Sequence, residues 1–367
     1  MAAFCLDIHA RYRCRHAGAC CENWSVPAES QVVEIVRSRG LRRRGAAGEL
    51  FVASMEAGGT QKWTVARDDR GDCVFFDREA GGLCIIHRDA GPEALPVACR
   101  HFPRKILVDQ RGTLISLSHF CPTAAALLLT SGAPSIVEAH PPLRIPAPVE
   151  GLDACDALPP LLRPDVLCDI GAYDTWERAA LAVFARPDLT FGECLEVIAS
   201  ATESIRGWSP GDQSLGGRLV SAFESSTSAG TWRWSPARAV ERVRALTMGH
   251  VGHDLAPIDA FDDRWNECAA SCAAWFDSGM KNYLAARLFA NWIAYQGRGL
   301  RTIVEWLRTC AAIVGHQLLR RAPDSGAGPD AAAFIEAVRS ADLLLLHVLD
   351  SASFARDVSV LEASLIP

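Results

Sequence analysis

The stretch LPVACRHFPRKILVDQRGTLISLSHFCPTAAALLL, residues 95–129, decides how the chain is organised. Its centre predicts a β-hairpin, because residues 105–108 and 113–117 are short alternating runs on either side of the turn signal at residues 110–112. Its end predicts a helix, since Pro122 stands directly before an apolar run. The stretch also carries two cysteines, and cysteine is the residue type that says most about what surrounds the hairpin.

Cysteine is concentrated in the first third of the chain. Of 14 cysteines in 367 residues, eight fall within residues 1–121. Such density beside frequent glycine and arginine is typical of a small domain in which covalent or metal bonds replace part of the core. The candidate metal ligands are Cys14, Cys20, Cys21, Cys73, Cys84, Cys99 and Cys121.

Three chemistries would account for these cysteines. Disulfides need an oxidising compartment, and Asp7, His9 and Arg11 interrupt any apolar export signal. Buried thiols are common singly, but they do not account for the adjacent pair at residues 20–21 beside a polar stretch. Coordination of a soft metal or an iron–sulfur cluster by thiolates is therefore the favoured interpretation, with the other two as alternatives.

The spacing leaves the identity of the metal open. The paired C-x2-C knuckles typical of structural zinc sites do not occur in the sequence. Seven thiols exceed the four that one zinc ion or one cubane cluster needs, so either some thiols are spare or the site is multinuclear.

Four segments resemble the cysteine-cluster proteins, a family described as a zinc- or iron-chelating domain. They are YRCRHAGACC at residues 12–21, CVFFDREAGGLCIIH at residues 73–87, LPVACRHFPR at residues 95–104 and LSHFCPTAA at residues 117–125. The last segment, together with KNYL at residues 281–284, resembles the branch of flagellin lysine-N-methylase-like proteins. In the first segment Ala17 stands where the family has its second cysteine.

The resemblance implies an iron–sulfur or zinc site and methyl transfer from S-adenosylmethionine to the amine of a protein lysine or a small molecule. The glycine pairs at residues 297–299 and 326–328 follow no predicted strand, so they predict helix-ending turns rather than a dinucleotide-type loop. Use of the methyl donor would then depend on the metal cluster. The alternatives are a non-catalytic metal-binding or metal-delivery protein, and a metal-dependent tailoring or redox enzyme that acts on a small metabolite.

The chain divides into three parts on sequence pattern. Residues 1–130 predict a small, irregular α+β cysteine-cluster domain that binds metal, and residues 131–169, with eight prolines, predict an extended connector. Residues 170–367 predict an all-α helical domain, because apolar residues recur there at spacings of three and four. The expected fold class is mainly α.

Composition excludes several classes of protein. With 49% hydrophobic and 22% charged residues, the chain has enough apolar material for a sizeable core and is not a disordered protein. A net charge of -6 argues against a general nucleic-acid binder. The longest apolar runs are far shorter than the roughly 20 residues that cross a bilayer. We therefore expect no nucleic-acid or membrane partner and a cytoplasmic location.

Overall fold

The computed structural model describes most of the chain. The described residues are 2–15, 18, 21–22, 24–42, 48–55, 61–79, 81–130, 132–139, 145, 149–226, 234–248, 255–270, 273–321 and 329–363. About 52% of them are helical and about 15% are in strands, so the fold is mainly α, as expected from the sequence.

The described strands all end before residue 168, and the long helices follow them in sequence. The strands are β1 (Ala3–Leu6), β2 (Pro27–Ala28), β3 (Phe51–Met55), β4 (Gln61–Val65), β5 (Phe76–Asp77), β6 (Leu83–Cys84), β7 (Arg104–Asp109), β8 (Gly112–Leu117), β9 (Ile136–Glu138), β10 (Leu152–Asp153), β11 (Leu161–Arg163) and β12 (Val166–Leu167). The helices are α1 (Asp7–Ala10), α2 (Ser30–Ser38), α3 (Ile85–Ala90), α4 (Val97–His101), α5 (Pro122–Leu127), α6 (Ile170–Phe184), α7 (Phe191–Ile205), α8 (Leu215–Ser225), α9 (Pro236–Leu246), α10 (Phe261–Ala270), α11 (Ala274–Leu288), α12 (Leu300–Arg321), α13 (Ala331–His347) and α14 (Ser351–Ala363). Two 3-10 helices cover Pro92–Ala94 and Trp292–Gln296.

The predicted hairpin and the helix after it are both confirmed. Strands β7 and β8 pair antiparallel, with Arg104 opposite Leu117 and Lys105 opposite Ser116. Helix α5 begins at Pro122, whose missing N–H costs nothing at the first position of a helix.

The hairpin is the centre of a five-stranded mixed sheet in the order β10-β7-β8-β1-β9. Strand β1 runs parallel to β8 and antiparallel to β9, while β10 runs parallel to β7. Both outer strands come from the proline-rich residues 131–169, whose described part therefore contributes Ile136–Glu138 and Leu152–Asp153 to the sheet. The division of the chain at residues 130 and 169 stays a prediction.

The two faces of the sheet pack against different parts of the molecule. Leu107 and Leu114 belong to the large hydrophobic core that the helices of residues 170–363 share. Ile115 and Leu117 belong to a small cluster with Tyr12 on the other side. Successive side chains of a strand point to opposite faces, so one hairpin contacts both regions.

Helix α12 is the central helix of the large core. The predicted apolar stripe, which includes Ile303, Leu307 and Ile313, is fully buried in it. At Gly315 the helix lies close to α10, because a Cβ atom there would come within 2.6 Å of the Trp265 ring. Among the helices that the structure describes, none combines the length and apolar character needed to cross a bilayer.

A separate hydrophobic core lies beneath the cysteine segments. It is formed by residues between Val26 and Ala94, chiefly from α2, β3, β4 and the segment around Phe75. Cys73, Cys84 and Cys99 pack against its edge, so this core positions part of the predicted ligand set.

Candidate metal centre

The structure brings five of the seven predicted ligands to one cavity of about 320 Å³. These residues are Cys14, Cys21, Cys84, Cys99 and Cys121. They come from four separate segments of the chain, so their convergence is a property of the tertiary fold. Cys14 is exposed, Cys121 is buried, and the other three are partly buried.

Short helices position three of the cysteines. Cys84 immediately precedes α3, Cys99 is the third residue of α4, and Cys121 immediately precedes α5. Cys84 also lies opposite Phe76 in the β5–β6 pair. Strand β5, which contains Phe76, begins three residues after Cys73. Backbone hydrogen bonds of these helices and of the β5–β6 pair therefore hold the main chain of the three cysteines.

The segment that carries Cys21 depends on a glycine. Gly18 has a φ of +76°, and a Cβ atom there would lie 2.6 Å from two atoms of the Phe76 ring. The Cys21 amide donates to the Gly18 carbonyl at 2.8 Å, and the Cys73 amide donates to the Cys21 carbonyl at 2.8 Å. Cys73 is thus hydrogen-bonded to the Cys21 segment through its backbone, but it is not among the residues that line the cavity. Cys20 lies outside the described residues.

An aromatic residue and an arginine lie against the buried thiol. The Tyr12 hydroxyl is 3.7 Å from Cys121 Sγ, and the Arg104 guanidinium lies 6.0 Å from the centroid of the Tyr12 ring. Burial raises the pKa of Cys121, while hydrogen bonds from the Ala124 amide and from Tyr12 act in the opposite direction. Burial also raises the pKa of Tyr12, as do the nearby Cys121 and Cys14. Tyr12 is therefore a protonated hydroxyl that can donate to a thiolate.

Positive charge surrounds the cysteines. Arg15, Arg100 and Arg104 line the cavity, and Arg100 pairs with the exposed carboxylate of Glu93 at 3.3 Å. Arg67 lies behind the cavity, where burial lowers its pKa and the neighbouring Cys73 opposes that shift. Cations next to thiols favour the thiolate form, which is the form that binds metal.

The donor set fits a soft metal. Thiolates select zinc, copper(I) or iron–sulfur clusters over the hard cations that carboxylates bind. Within the described residues, no three side chains of the histidine, cysteine and carboxylate types are arranged around a single ion position. The described residues that could hold a metal or a cluster are the five cysteines that line the cavity.

The three histidines near the predicted ligands have different surroundings. His87, on α3, lines the cavity. His101 is buried on α4 and is not a lining residue. His119 is fully buried and faces away from the cavity, toward the helices.

His119 belongs to a buried polar network that the sequence did not predict. Its Nε2 atom lies 3.1 Å from His9 Nε2, and its Nδ1 atom lies 3.2 Å from Asp342 Oδ2. Asp342 also accepts a hydrogen bond from the Tyr283 hydroxyl at 2.9 Å and pairs with Arg287 at 3.4 Å. Burial lowers the pKa of both His9 and His119, whereas Arg287 and His119 hold the pKa of Asp342 below its ordinary value. The only signal in the sequence was an aspartate directly before the apolar run at residues 343–346.

Comparison with protein-family profiles, with curated proteins and with solved structures finds no match to this chain.

Proposed function

We propose that this protein holds an iron–sulfur cluster in the cysteine-lined cavity and uses it to transfer a methyl group from S-adenosylmethionine to an amine. The acceptor is a protein lysine or a small-molecule amine. One observation carries most of the proposal, namely that five cysteines from four segments line one cavity together with three arginines. The resemblance of residues 12–125 to flagellin lysine-N-methylase-like proteins suggests the reaction.

The number of thiols and the size of the cavity favour a cluster over a single zinc ion. A structural zinc site is closed around one ion by four ligands. A cavity of about 320 Å³ is larger than the closed shell around a single ion, and the five cysteines in its wall exceed the four ligands that one zinc ion takes. When bound, the cluster would supply a Lewis-acidic iron that anchors the amino and carboxylate groups of the methyl donor.

The other lining residues have roles that follow from their charge. Arg15 and Arg104 would bind the carboxylate of the donor or of the acceptor, since guanidinium groups match carboxylates in geometry. Arg100 also lines the cavity, where it pairs with the largely exposed Glu93. In the reaction the methyl carbon leaves the sulfonium sulfur and bonds to the amine nitrogen. His87 is the lining residue best suited to accept the proton that the nitrogen loses.

The proposal also covers the order of the two domains along the chain and the cellular compartment of the protein. The cysteine-cluster domain precedes the helical domain. The acceptor amine would reach the cavity from solvent past Cys14, which is exposed. Because thiolate ligands must stay reduced, the protein would act in the cytoplasm.

The first experiment measures iron, zinc and acid-labile sulfide per chain in protein purified without oxygen. About four irons and four sulfides per chain are expected for a cubane. Binding of S-adenosylmethionine is then measured by calorimetry before and after the metal is stripped, and we expect the binding to be lost with the metal.

Other outcomes would count against the proposal. Zinc without sulfide would remove the cluster-based anchoring of the donor. Equal binding of S-adenosylmethionine by the stripped protein would mean that the cluster does not hold it. If the protein contained a full cluster but bound no S-adenosylmethionine, the cluster assignment would stand and the methyl transfer would be contradicted.

Metal delivery is a second candidate, and the exposure of Cys14 favours it. An exposed ligand can be replaced by a thiol of a partner, which is how metal passes between proteins. Rapid loss of the metal to a small-molecule chelator would support delivery. Retention of the metal over hours under the same conditions would support the resident cluster of an enzyme.

A further inference from the structure

A second cavity of about 200 Å³ lies on the other face of the β7–β8 hairpin. Its floor is formed by Lys105 and Ser116, which are register partners across the two strands. The end of α11, the 3-10 helix Trp292–Gln296 and the junction of α13 with α14 close the remaining sides. Among the described residues, none lines both this cavity and the cysteine cavity.

Lys105 brings a positive charge to this cavity. Its Nζ atom lies 4.4 Å from the centroid of the Trp292 ring, and no described carboxylate is within ion-pair distance of it. Burial lowers the pKa of Lys105 to about 8, and the charge of Arg287 acts in the same direction, so the side chain is mostly an ammonium at neutral pH. An ammonium over an indole and without a carboxylate partner can still bind an anion.

Two buried donors add to this positive character. Asn291 is 7% exposed, and its side-chain oxygen accepts from the Ile293 amide at 2.9 Å. Its Nδ2 atom is buried without a hydrogen-bond partner among the described residues, as is Nε of Arg287. A buried donor without an acceptor costs about 1–3 kcal/mol, a cost that a bound acceptor would remove.

The two carboxylates near the cavity are already engaged. Asp350 accepts from the amide and the hydroxyl of Ser353 at 2.8 Å and 2.6 Å. Asp342 is fully buried and is shared by Arg287, His119 and Tyr283. Neither carboxylate forms an ion pair with Lys105 among the described residues, and the charge of Asp342 acts on Lys105 only from a distance, where it raises the pKa of the ammonium and so favours its charged form. Asp350 lines the cavity with its carboxylate engaged by Ser353.

The rest of the wall is apolar and aromatic. Trp292, Trp306 and Phe289 line it together with leucines of α13. Pockets for drug-sized ligands occupy roughly 300–1,000 Å³, so a cavity of about 200 Å³ suits a smaller molecule. An indole-lined wall favours a ligand with an apolar body, while the donors favour an anionic end.

We propose that this cavity binds a small monocarboxylate, whose carboxylate is held by Lys105 and Asn291 and whose apolar body packs against Trp292 and Trp306. The ligand class is a short-chain or aromatic organic acid. The proposal does not depend on the proposed function, because none of these residues touches the cysteine cavity. Binding should therefore persist in metal-stripped protein.

The test uses benzoate as the probe and benzamide as its neutral analogue, with the full chain and calorimetry or tryptophan fluorescence as the readout. We expect benzoate to bind at least tenfold more tightly than benzamide. Lys105→Met should weaken benzoate binding tenfold or more. Lys62→Met is the matched control, because Lys62 is an exposed lysine on β4, and it should leave binding unchanged.

Asn291→Asp keeps the proposal testable if the lysine variant does not fold. An aspartate can still accept from the Ile293 amide, so the start of the 3-10 helix is preserved, but its charge should repel benzoate. We expect at least a tenfold loss of affinity in this variant.

The pH dependence gives a further readout. Affinity for benzoate should fall as pH rises above about 8, because Lys105 then loses its proton. The charged and titratable groups around it are Arg287 on α11, Asp342 and His347 on α13, Cys310 on α12 and Asp350 before α14. Binding of benzamide should not change over this range.

Several results would overturn the proposal. They are no binding of benzoate to the folded protein up to about 10 mM, equal binding of benzamide, and full binding by Lys105→Met. Binding of inorganic phosphate without binding of benzoate would also overturn it, since the cavity would then be a simple anion site.

Discussion

At the scale of single residues, the candidate metal centre depends on thiols held at fixed positions. We expect Cys99→Ser to lower the iron and sulfide content by at least half, because it removes a proposed thiolate ligand from the cavity wall without changing the size of the side chain much. Cys155→Ser is the control, since Cys155 is also partly buried but lies outside the cavity. Equal metal content in the two variants would show that Cys99 is not a ligand.

Buried histidines make the fold sensitive to acid. Burial lowers the pKa of His347 to about 4 and also lowers the pKa of His9 and His119, whereas an unfolded histidine titrates near 6.5. The unfolded state therefore binds more protons below pH 6.5, and stability falls as pH decreases from about 6.5 toward the folded pKa. For His347 the loss between pH 7.5 and pH 5.5 should be about 1 kcal/mol.

Urea denaturation at the two pH values measures this loss. His347→Gln can still hydrogen-bond to Ser118, which now lies 2.8 Å from His347 Nε2, and it should reduce the pH dependence. An unchanged dependence in that variant would assign the acid sensitivity to other groups.

Single residues differ in how far the sequence could predict their role. The sequence singled out Cys84, Cys99 and Cys121 because each lies within a short, local motif, and the structure places all three at one cavity, while their role as ligands stays a prediction. The pairing of His9 with His119 could not be predicted, since each histidine looks like a surface residue until the sheet brings the two together. The same is true of Lys105, whose cavity is completed by helices far away in sequence.

At the scale of elements, close packing limits which glycines can be replaced. Gly315→Ala should destabilise the protein by about 1–3 kcal/mol through overpacking, because the new Cβ would lie 2.6 Å from the Trp265 ring. Gly216→Ala, in α8, meets nothing within 4 Å and should stabilise the protein by up to about 1 kcal/mol through helix propensity. Thermal or urea denaturation of the two variants should give opposite signs, and the same sign in both would contradict the contact between α10 and α12.

The loop that carries Cys21 allows a similar pairwise test. Gly18 and Gly81 have nearly equal positive φ angles of +76° and +81°, so alanine strains the backbone equally at both. Only at Gly18 would the added Cβ collide with Phe76. We therefore expect Gly18→Ala to reduce the metal content and Gly81→Ala to leave it nearly unchanged. If both variants lost metal equally, backbone strain alone, and not the contact with Phe76, would account for the loss.

Elements with local patterns were predicted well, and elements that depend on distant pairing were not. The β7–β8 hairpin and the stripe of α12 follow from residues close in sequence. The order of the five-stranded sheet could not be predicted, because β1 pairs with β8 and β9, more than a hundred residues away. The prolines of residues 131–169 indicated extended chain but carried no information about which strands it would join.

At the scale of the whole molecule, the metal should stabilise one region more than the other. The large core of the helices contains none of the cysteines that line the cavity, whereas the smaller core has Cys84 and Cys99 at its edge. Removal of the metal should therefore lower the temperature of a first unfolding transition and leave most of the helical circular dichroism intact. Calorimetry and far-ultraviolet circular dichroism of holo and stripped protein measure both effects. Simultaneous loss of all helical signal on stripping would contradict the separation of the cores.

The position of Arg104 and Lys105 next to each other on β7 restricts how the gene can change. One side chain lines the cysteine cavity and the other lines the cavity among the helices. Deletion or insertion of one codon between Pro103 and Asp109 would exchange the two faces of the strand for all of its residues on one side of the change. Where the exchange includes both residues, the cavity among the helices would lose Lys105 and the cysteine cavity would lose one of its three arginines in a single event. We therefore expect that descendants of this sequence will gain or lose residues in surface loops and not in this strand. In a loop, an added residue does not move side chains from one face of a strand to the other.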